Sequence, residues 1–439
     1  MNLYSDLRAS ADPVPPPGPA ALCLADHFRG GDVWRGLEPV DPADLLDDLL
    51  HQFDQDRATN IGFPGATDFD YSRLAPFLNV LLNNVGDPYI PGVGGAHTKN
   101  VEVEVVEFLA DLFDAPAKDR WGYLTTGGTE AALYALYLAR NLYPTGRVYY
   151  SEATHESVAK AVDILRMPKT ILRAGKNGEL DYEDLHEVLG RHRDQPAIVI
   201  ANIGTTMTEA VDDVPTIKNT LRGLAMCDHF VHADAALAGI PLALDGAPVD
   251  FGLHTDGADS LSVSGHKFIG SPFPYGAVLT RRSLRDRVAR QGAYTGSPDA
   301  TITGSRSGLA PLFLWYRLHQ VGWEEGLRKR AMRARDLAEY AVKRLNDIGW
   351  EAWRNPRGFT VVIKTPPPEV LAEWTLATHA GYSHLICMPG ITQDHVDRFV
   401  LALQASAGTA AVSPVPKQRA RKLAVVPAEI GEGRMLLNG

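Results

Sequence analysis

The chain has 439 residues, 45% of them hydrophobic and 22% charged, proportions of an ordinary globular core that exclude a fibrous repeat. Acidic residues outnumber basic ones by 53 to 43, a net charge of -10, which argues against a polyanion-binding surface and makes nucleic acid an unexpected partner. The length, about three times that of a typical domain, predicts a large core with a smaller domain beside it.

Three cysteines, Cys23, Cys227 and Cys387, stand far apart and outside any CxxC spacing, so neither a disulfide framework nor a structural zinc site is expected. The N-terminus carries no basic residue before Arg8 and no apolar signal core, and nowhere do about eighteen uncharged apolar residues run together. The expectation is a cytoplasmic protein without a membrane partner.

The run PVPPPGP, Pro13 to Pro19, supplies few backbone donors and reads as an extended arm. Helical spacing begins near Asp41, which gives an N-terminal arm and helix over residues 1–60. From about Tyr123 to Thr280 short β-rich runs alternate with longer amphipathic ones, an α/β rhythm. The expected strands are 147–150, 170–173, 197–202, 230–233, 260–263 and 276–280. Several are nearly continuous apolar runs, which suits a mostly parallel sheet covered on both faces. After Pro311, residues Leu327, Ala331, Ala334, Ala338, Ala341 and Leu345 recur at helical spacing and predict an amphipathic packing helix. Strands at 359–364 and 384–388 and a helix at 393–403 would complete a small α/β domain. The expected division is a large domain over 61–310, a small one over 311–405 and a tail over 406–439. In that tail Lys417, Arg419, Arg421 and Lys422 read as a solvated charge run.

Five strand ends carry chemistry. In SVSGHKFIGSPFPYG a strand ends and His266 and Lys267 follow a Ser-Gly turn. A lysine there is costly unless it snorkels to the surface or is used, for instance as an amine whose lowered pKa suits carbonyl chemistry. In HADAALAG, Asp234 closes an apolar strand, either as a helix N-cap or as a carboxylate facing the crevice beyond the strand ends. In LTTGGTEAALYALYLAR a strand breaks at Gly127 and Gly128 before a helix starts near Thr129, a plain capped turn or an anion cradle for phosphate. SEATHESVAKA offers His155 at a strand-to-helix junction, structural or stacked on a ring. ANIGTTMTEAVDD puts Thr205 and Thr206 past another strand. An amine for a carbonyl, a carboxylate for a ring nitrogen and a phosphate cradle together describe a pyridoxal 5'-phosphate (PLP) site. A rival zinc cluster of Cys227, His229, His232 and Asp234 fails on alternation, because His229 and His232 face opposite sides of a strand.

The ordered set GGTE, T-H-x-S-V, IGTT, H-A-D-A-A, S-G-H-K and T-G-S-R-x-G resembles the PLP-dependent group II amino-acid decarboxylases, in their bacterial histidine-decarboxylase-like and valine-decarboxylase-like branch. The resemblance covers roughly residues 83–390. It implies a PLP-dependent transferase fold of type I in which Lys267 forms the Schiff base, Asp234 pairs the pyridine nitrogen and His155 stacks on the ring. It further implies that Gly127, Gly128, Thr129, Ala236, Ser264 and His266 line the cofactor and that Thr206 sits near the ring hydroxyl. Gly304 and Ser305 match the segment that approaches from the partner subunit of a homodimer with shared sites. The Gly-, Ser- and Thr-rich stretch from Gln291 to Thr303 matches a mobile loop, with Tyr294 as proton donor. No metal is implied.

Five departures surround this set: Ala131 and Ala132 replace Gly-Asn, Glu156 follows T-H, Tyr275 stands in P-C-G, Leu309 replaces a histidine and Ala238 a serine. The expected reaction is decarboxylation of an amino acid to its amine, with a small apolar amino acid as substrate. The alternatives are a different outcome on the same cofactor (oxidation, transamination or C-C bond formation) and a fold that has lost catalysis. The presence of Lys267, Asp234 and His155 disfavours the last.

Overall fold

The computed structural model of the chain describes residues 42–91, 95–290 and 296–410. The Pro13 to Pro19 arm, Tyr294 and the basic tail lie outside the described residues. Helix α1 (Pro42–Thr59) comes first, then α2 (Lys99–Leu112) and β1 (Arg120–Thr125). The α/β alternation follows: α3 (Gly128–Leu142), β2 (Arg147–Ser151), α4 (Glu156–Leu165), β3 (Lys169–Leu172), α5 (Tyr182–Arg191) and β4 (Ala197–Asn202). It continues with α6 (Val214–Gly223), β5 (His229–Asp234), α7 (Gly239–Ala243), β6 (Ser260–Ser264), β7 (Gly276–Arg281) and α8 (Arg282–Asp286).

The seven strands form one sheet in the order β1-β7-β6-β5-β4-β2-β3. The strands from β6 to β3 run parallel, and β7 is antiparallel to both β6 and β1. Alternate side chains feed two cores, as strand geometry requires. Ile198, Ile200 and Phe230 pack with Leu138, Val158 and Val162 from α3 and α4, while Val199, Ala201, Val231 and Ala233 pack with Leu109, Ile217 and Leu221 on the other face. Parallel strands put their carboxyl ends on one edge. There β2 ends at Ser151, β4 at Asn202, β5 at Asp234 and β6 at Ser264.

Helices α9 (Leu309–Val321) and α10 (Trp323–Asp347) lead to a second sheet of β8 (Ala352–Trp353), β9 (Thr360–Lys364), β10 (Ala377–His379) and β11 (Tyr382–Ile386), ordered β10-β11-β9-β8 and antiparallel throughout. Helix α11 (Pro368–Glu373) lies between β9 and β10, and α12 (Gln393–Ala410) follows. The whole spaced set Leu327 to Leu345 on α10 is buried, as its periodicity predicts. Several details differ from the sequence reading. β1 is the strand whose end shows before Gly127, its start hidden by Arg120 and Gly122, while the short β8 and β10 are additional strands. β11 comes earlier than 384–388, because Met388 N–H turns back to the Ile386 carbonyl (2.7 Å) just before Pro389. Helix α12 runs on to Ala410. Among the described residues no helix is long and apolar enough to cross a membrane.

The second sheet grips the loop after β4. The Asn355 amide donates to the Asn177 and Thr208 carbonyls (2.9 Å each), and His384 Nδ1–H donates to the Met207 carbonyl (3.2 Å). Glu209 Oε2 accepts the backbone N–H groups of Phe359 (2.9 Å) and Thr360 (2.7 Å), while its buried Oε1 has no hydrogen-bond partner among the described residues. Burial pushes this carboxyl up to about 7, against the hydrogen bonds from 359 and 360. A folded value above the ordinary 4.5 means that the stabilising contribution is complete below about 4.5 and is lost as pH rises through about 7. Glu209→Gln removes that titration, so thermal melts should show the variant gaining on the wild type between pH 5 and pH 8. An unchanged gap in melting temperature would mean that the carboxyl titrates in the ordinary range.

Candidate active site

The lysine turn is fixed from behind. After β6 the chain passes Gly265, where a Cβ would sit inside the ring of Tyr275, so only glycine lets the backbone pass. A single π-helical turn (His266–Gly270) follows, a geometry frequent at functional sites. His266 Nδ1–H donates to the Tyr275 carbonyl (2.8 Å), and the Lys267 carbonyl accepts from Ala66 N–H (2.8 Å). The Lys267 side chain is half-buried by surface, and burial holds its amine below the usual lysine range, with Asp234 acting in the opposite sense. Among the described residues Lys267 Nζ has no hydrogen-bond partner. A larger neutral fraction makes it a better nucleophile toward a carbonyl.

Asp234 stands at the end of β5 with Oδ1 accepting from Ala236 N–H (3.3 Å) and the Ser262 hydroxyl (3.4 Å). His155 caps α4: Nδ1 accepts from Ser157 N–H (3.2 Å), which leaves the ring proton on Nε2. Its ring is exposed to the cleft. Burial of its surroundings lowers its pKa, Asp234 opposes that and Lys267 adds to it, so the three charged or polar groups act on one another directly.

At the start of α3, a Cβ on Gly128 would meet Ser264 Oγ at 2.8 Å and the Ala236 methyl at 3.9 Å, which brings Gly128, Ser264 and Ala236 into one cradle. Gly127 opens onto free space, and Thr129 is exposed in the first turn. The first N–H groups of a helix have no intrahelical acceptor and carry the positive end of its dipole. The two threonines after β4 part ways. Thr205 turns inward, bonded to the Thr208 hydroxyl (2.9 Å) and Ala210 N–H (3.0 Å), while Thr206 is exposed.

Gly304 and Ser305 are exposed, with Ser305 Oγ accepting from the Asn83 amide (3.2 Å). Arg306, ion-paired with buried Glu102, anchors them, and no hydrogen bond among the described residues joins them to Lys267, Asp234 or His155. None of the five departures replaces a member of the polar set, although Glu156 follows His155 and the Tyr275 carbonyl accepts from His266. Ala131, Ala132, Ala238 and Tyr275 are buried in the cores, Leu309 packs near Tyr71 and Phe313, and Glu156 is exposed on α4.

Sequence reasoning considered His232 only as a metal ligand and passed over Ser260 and Ser262. His229 Nδ1–H donates to the Met226 carbonyl (2.9 Å), whereas His232 bonds Ser260 and Ser262 beside Asp234, so the two imidazoles serve separate partners. The signal was present: His232 is two residues before Asp234 and shares its face of the strand.

An anion cradle that a Cβ would fill, an amine of lowered pKa, a carboxylate and an open imidazole face fit PLP. The pyridoxal-dependent decarboxylase conserved domain matches residues 95–351, more than half of the chain. The chain is 41% identical over 366 residues to a histidine decarboxylase of Mesorhizobium japonicum, covering 83% of this chain and 98% of that protein. It is 42% identical over 344 residues to a histidine decarboxylase of Morganella morganii, covering 77% and 88%. Among solved structures, L-methionine decarboxylase from Streptomyces sp. 590 in complex with L-methionine methyl ester superposes with a TM-score of 0.75 at 25% identity, over 84% of this chain and 95% of that one. Glutamate decarboxylase of Lactobacillus brevis shares the fold, with a TM-score of 0.73 at 14% identity over 91% and 99%. The chain therefore belongs to the pyridoxal-dependent decarboxylase family and is a PLP-dependent amino-acid decarboxylase of fold type I.

Proposed function

We propose that Lys267 carries the cofactor, that Asp234 and His155 hold its ring, and that the substrate is an L-amino acid with a small apolar side chain, released as its amine. The observation that carries the site assignment is the sheltered Lys267 amine, without a hydrogen-bond partner among the described residues and electrostatically coupled to Asp234. When bound, PLP supplies a protonated pyridine that accepts the electron pair left as CO2 departs. Asp234 holds the proton on the ring nitrogen through a charge-assisted hydrogen bond. His155 presents a flat imidazole face whose lowered pKa keeps it neutral. The N–H groups of Gly128 and Thr129, with Ser264 and His266, would hold the phosphate, Gly127 and Ala236 would leave room for it, and the exposed Thr206 hydroxyl would serve the ring oxygen. Residues 61–310 form the cofactor domain and 311–405 the domain that closes over it.

Residues 63–66, Phe63, Pro64, Gly65 and Ala66, run along the lysine turn and bring no charge, which supports an uncharged substrate side chain. The relatives named for histidine make its neutral imidazole the competing substrate. The buried or outward positions of the five departures favour the simple amine product over another outcome.

The second part of the proposal is a homodimer that completes the sites. Phe77, Leu78, Val80 and Leu81 form an exposed apolar run, Leu81 at 88%, beside Asn83, which holds Ser305. Such a patch marks an interaction surface, and an isologous contact would bring Gly304 and Ser305 to the partner's site.

Borohydride treatment of the PLP-loaded protein followed by mass spectrometry should place the pyridoxyl group on Lys267; attachment at Lys160 or Lys169 would overturn the assignment. A screen of the twenty amino acids that measures CO2 and amine together should show turnover of small apolar substrates. Turnover of histidine alone would discard the apolar reading, and CO2 without matching amine would discard the simple outcome. Co-expression of a Lys267→Ala chain with a Ser305→Trp chain should restore activity, because a mixed dimer regains one intact site of two. Mixed dimers no more active than either parent would mean that each site is complete within its own chain.

A further inference from the structure

His232 is buried to 1% exposure on β5, two residues before Asp234, and both side chains leave the same face of the strand. The register with β6 sets Ser260 opposite His232 and Ser262 opposite Asp234. His232 Nδ1 lies 2.7 Å from Ser260 Oγ, and Nε2 lies 3.2 Å from Ser262 Oγ. The Ser262 hydroxyl in turn donates to Asp234 Oδ1 (3.4 Å). Burial pushes the imidazole down to about 4, against the pull of Asp234 and the Ser260 backbone, so at neutral pH the ring has one donor nitrogen and one acceptor.

The carboxylate sets the direction of the chain. Ser262 has a single hydroxyl hydrogen, and turning oxygen lone pairs on an anion is unfavourable, so that hydrogen goes to Asp234. The Ser262 oxygen is then left to accept, which requires the His232 proton on Nε2. Nδ1 accepts from Ser260. We propose that His232 is a positioning residue for the catalytic carboxylate: by donating Nε2–H to Ser262 it turns the Ser262 hydroxyl onto Asp234 and fixes that carboxylate toward the ring nitrogen of PLP. The inference rests on the reading of Asp234 as the partner of that nitrogen. Among the described residues the side chains of His232, Ser260 and Ser262 bond only one another and Asp234, so the effect reaches the reaction through Asp234.

A side chain that merely filled space would be indifferent to which nitrogen carries the proton. Nitrogen-15 NMR of the cofactor-free protein should find the Nε2–H tautomer in the wild type. In Asp234→Ala, Ser262 is free to donate to the ring, and the tautomer should shift toward Nδ1–H. In the PLP-loaded protein, His232→Gln keeps an amide donor near the Nε2 position, whereas His232→Asn places its amide near Nδ1 and His232→Leu has none. The Asn and Leu variants should weaken PLP binding and lower kcat/KM about 10- to 100-fold, the scale of one hydrogen bond serving a charged group, while Gln stays within about threefold of wild type. Because Gln and Asn are both polar and close in size, their comparison stands even where the Leu variant does not fold. Equal losses for Gln and Asn, or a tautomer that ignores Asp234→Ala, would overturn the proposal. If Asp234→Ala itself keeps PLP affinity and rate while the tautomer shifts as expected, the reading of Asp234 fails and the proposal goes with it. If Asp234→Ala loses both while all three His232 variants match wild type, the relay alone is wrong.

Discussion

A lysine amine held inside the fold opposite a single carboxylate is the constraint around which this structure is arranged. Sheltering an ammonium without a hydrogen-bond partner is unfavourable, and the fold resolves this by lowering the amine's pKa while keeping Asp234 close. A long lysine stem would normally escape by snorkelling to solvent. Here the backbone on either side denies it that freedom: the Ala66 N–H holds the Lys267 carbonyl, the Tyr275 carbonyl holds His266, and Gly265 lies against the Tyr275 ring. The chemistry is thus bound to rigid backbone, which is what a site of defined geometry needs.

The parallel sheet explains why groups far apart in sequence meet. Each strand from β2 to β6 releases its loop at the same edge, so His155, Thr206, Ala236 and Lys267 converge without any long connection. The antiparallel β7 then returns the chain behind the lysine turn, where Tyr275 buttresses it. The second sheet adds a grip on the loop that carries Thr206, through Asn355, His384 and the backbone of β9. Movement of the smaller sheet would therefore be felt at the Thr206 loop before it is felt at the lysine.

Much of this was legible in the sequence because strand ends and periodicities are local. The run 197–202 reads as a buried strand and is one, and the helical spacing from Leu327 to Leu345 marks a buried face. What was not legible depends on partners distant in sequence. Thr205 and Thr206 look interchangeable until Thr208 and Ala210 claim the first. β1 shows only its end, before Gly127; a charge and a glycine in its six residues hide its start, which pairing with β7 defines. His232 was read among neighbouring histidine and cysteine residues, when its meaning lies across the strand in Ser260 and Ser262. Gly304 and Ser305 are exposed, and no contact within the described residues tells what they serve.

The departures from the branch pattern follow a physical division between the two faces of the lysine turn. On the side where Gly128, Ser264, Asp234 and His155 gather, none of the departures replaces a polar group. Behind it, where only volume and contact matter, Tyr275 takes the place of a much smaller side chain. Its ring packs against Phe273 and meets Gly265 so closely that no other residue fits there. Among the described residues the buried Tyr275 hydroxyl has no partner, a cost of about 1–3 kcal/mol, which the ring must offset through the area it buries. A tyrosine retained on those terms stiffens the backbone that presents the amine. The same packing makes glycine obligatory at Gly265, so variation behind the turn constrains the turn itself while leaving Gly128, Ser264, Asp234 and His155 unchanged.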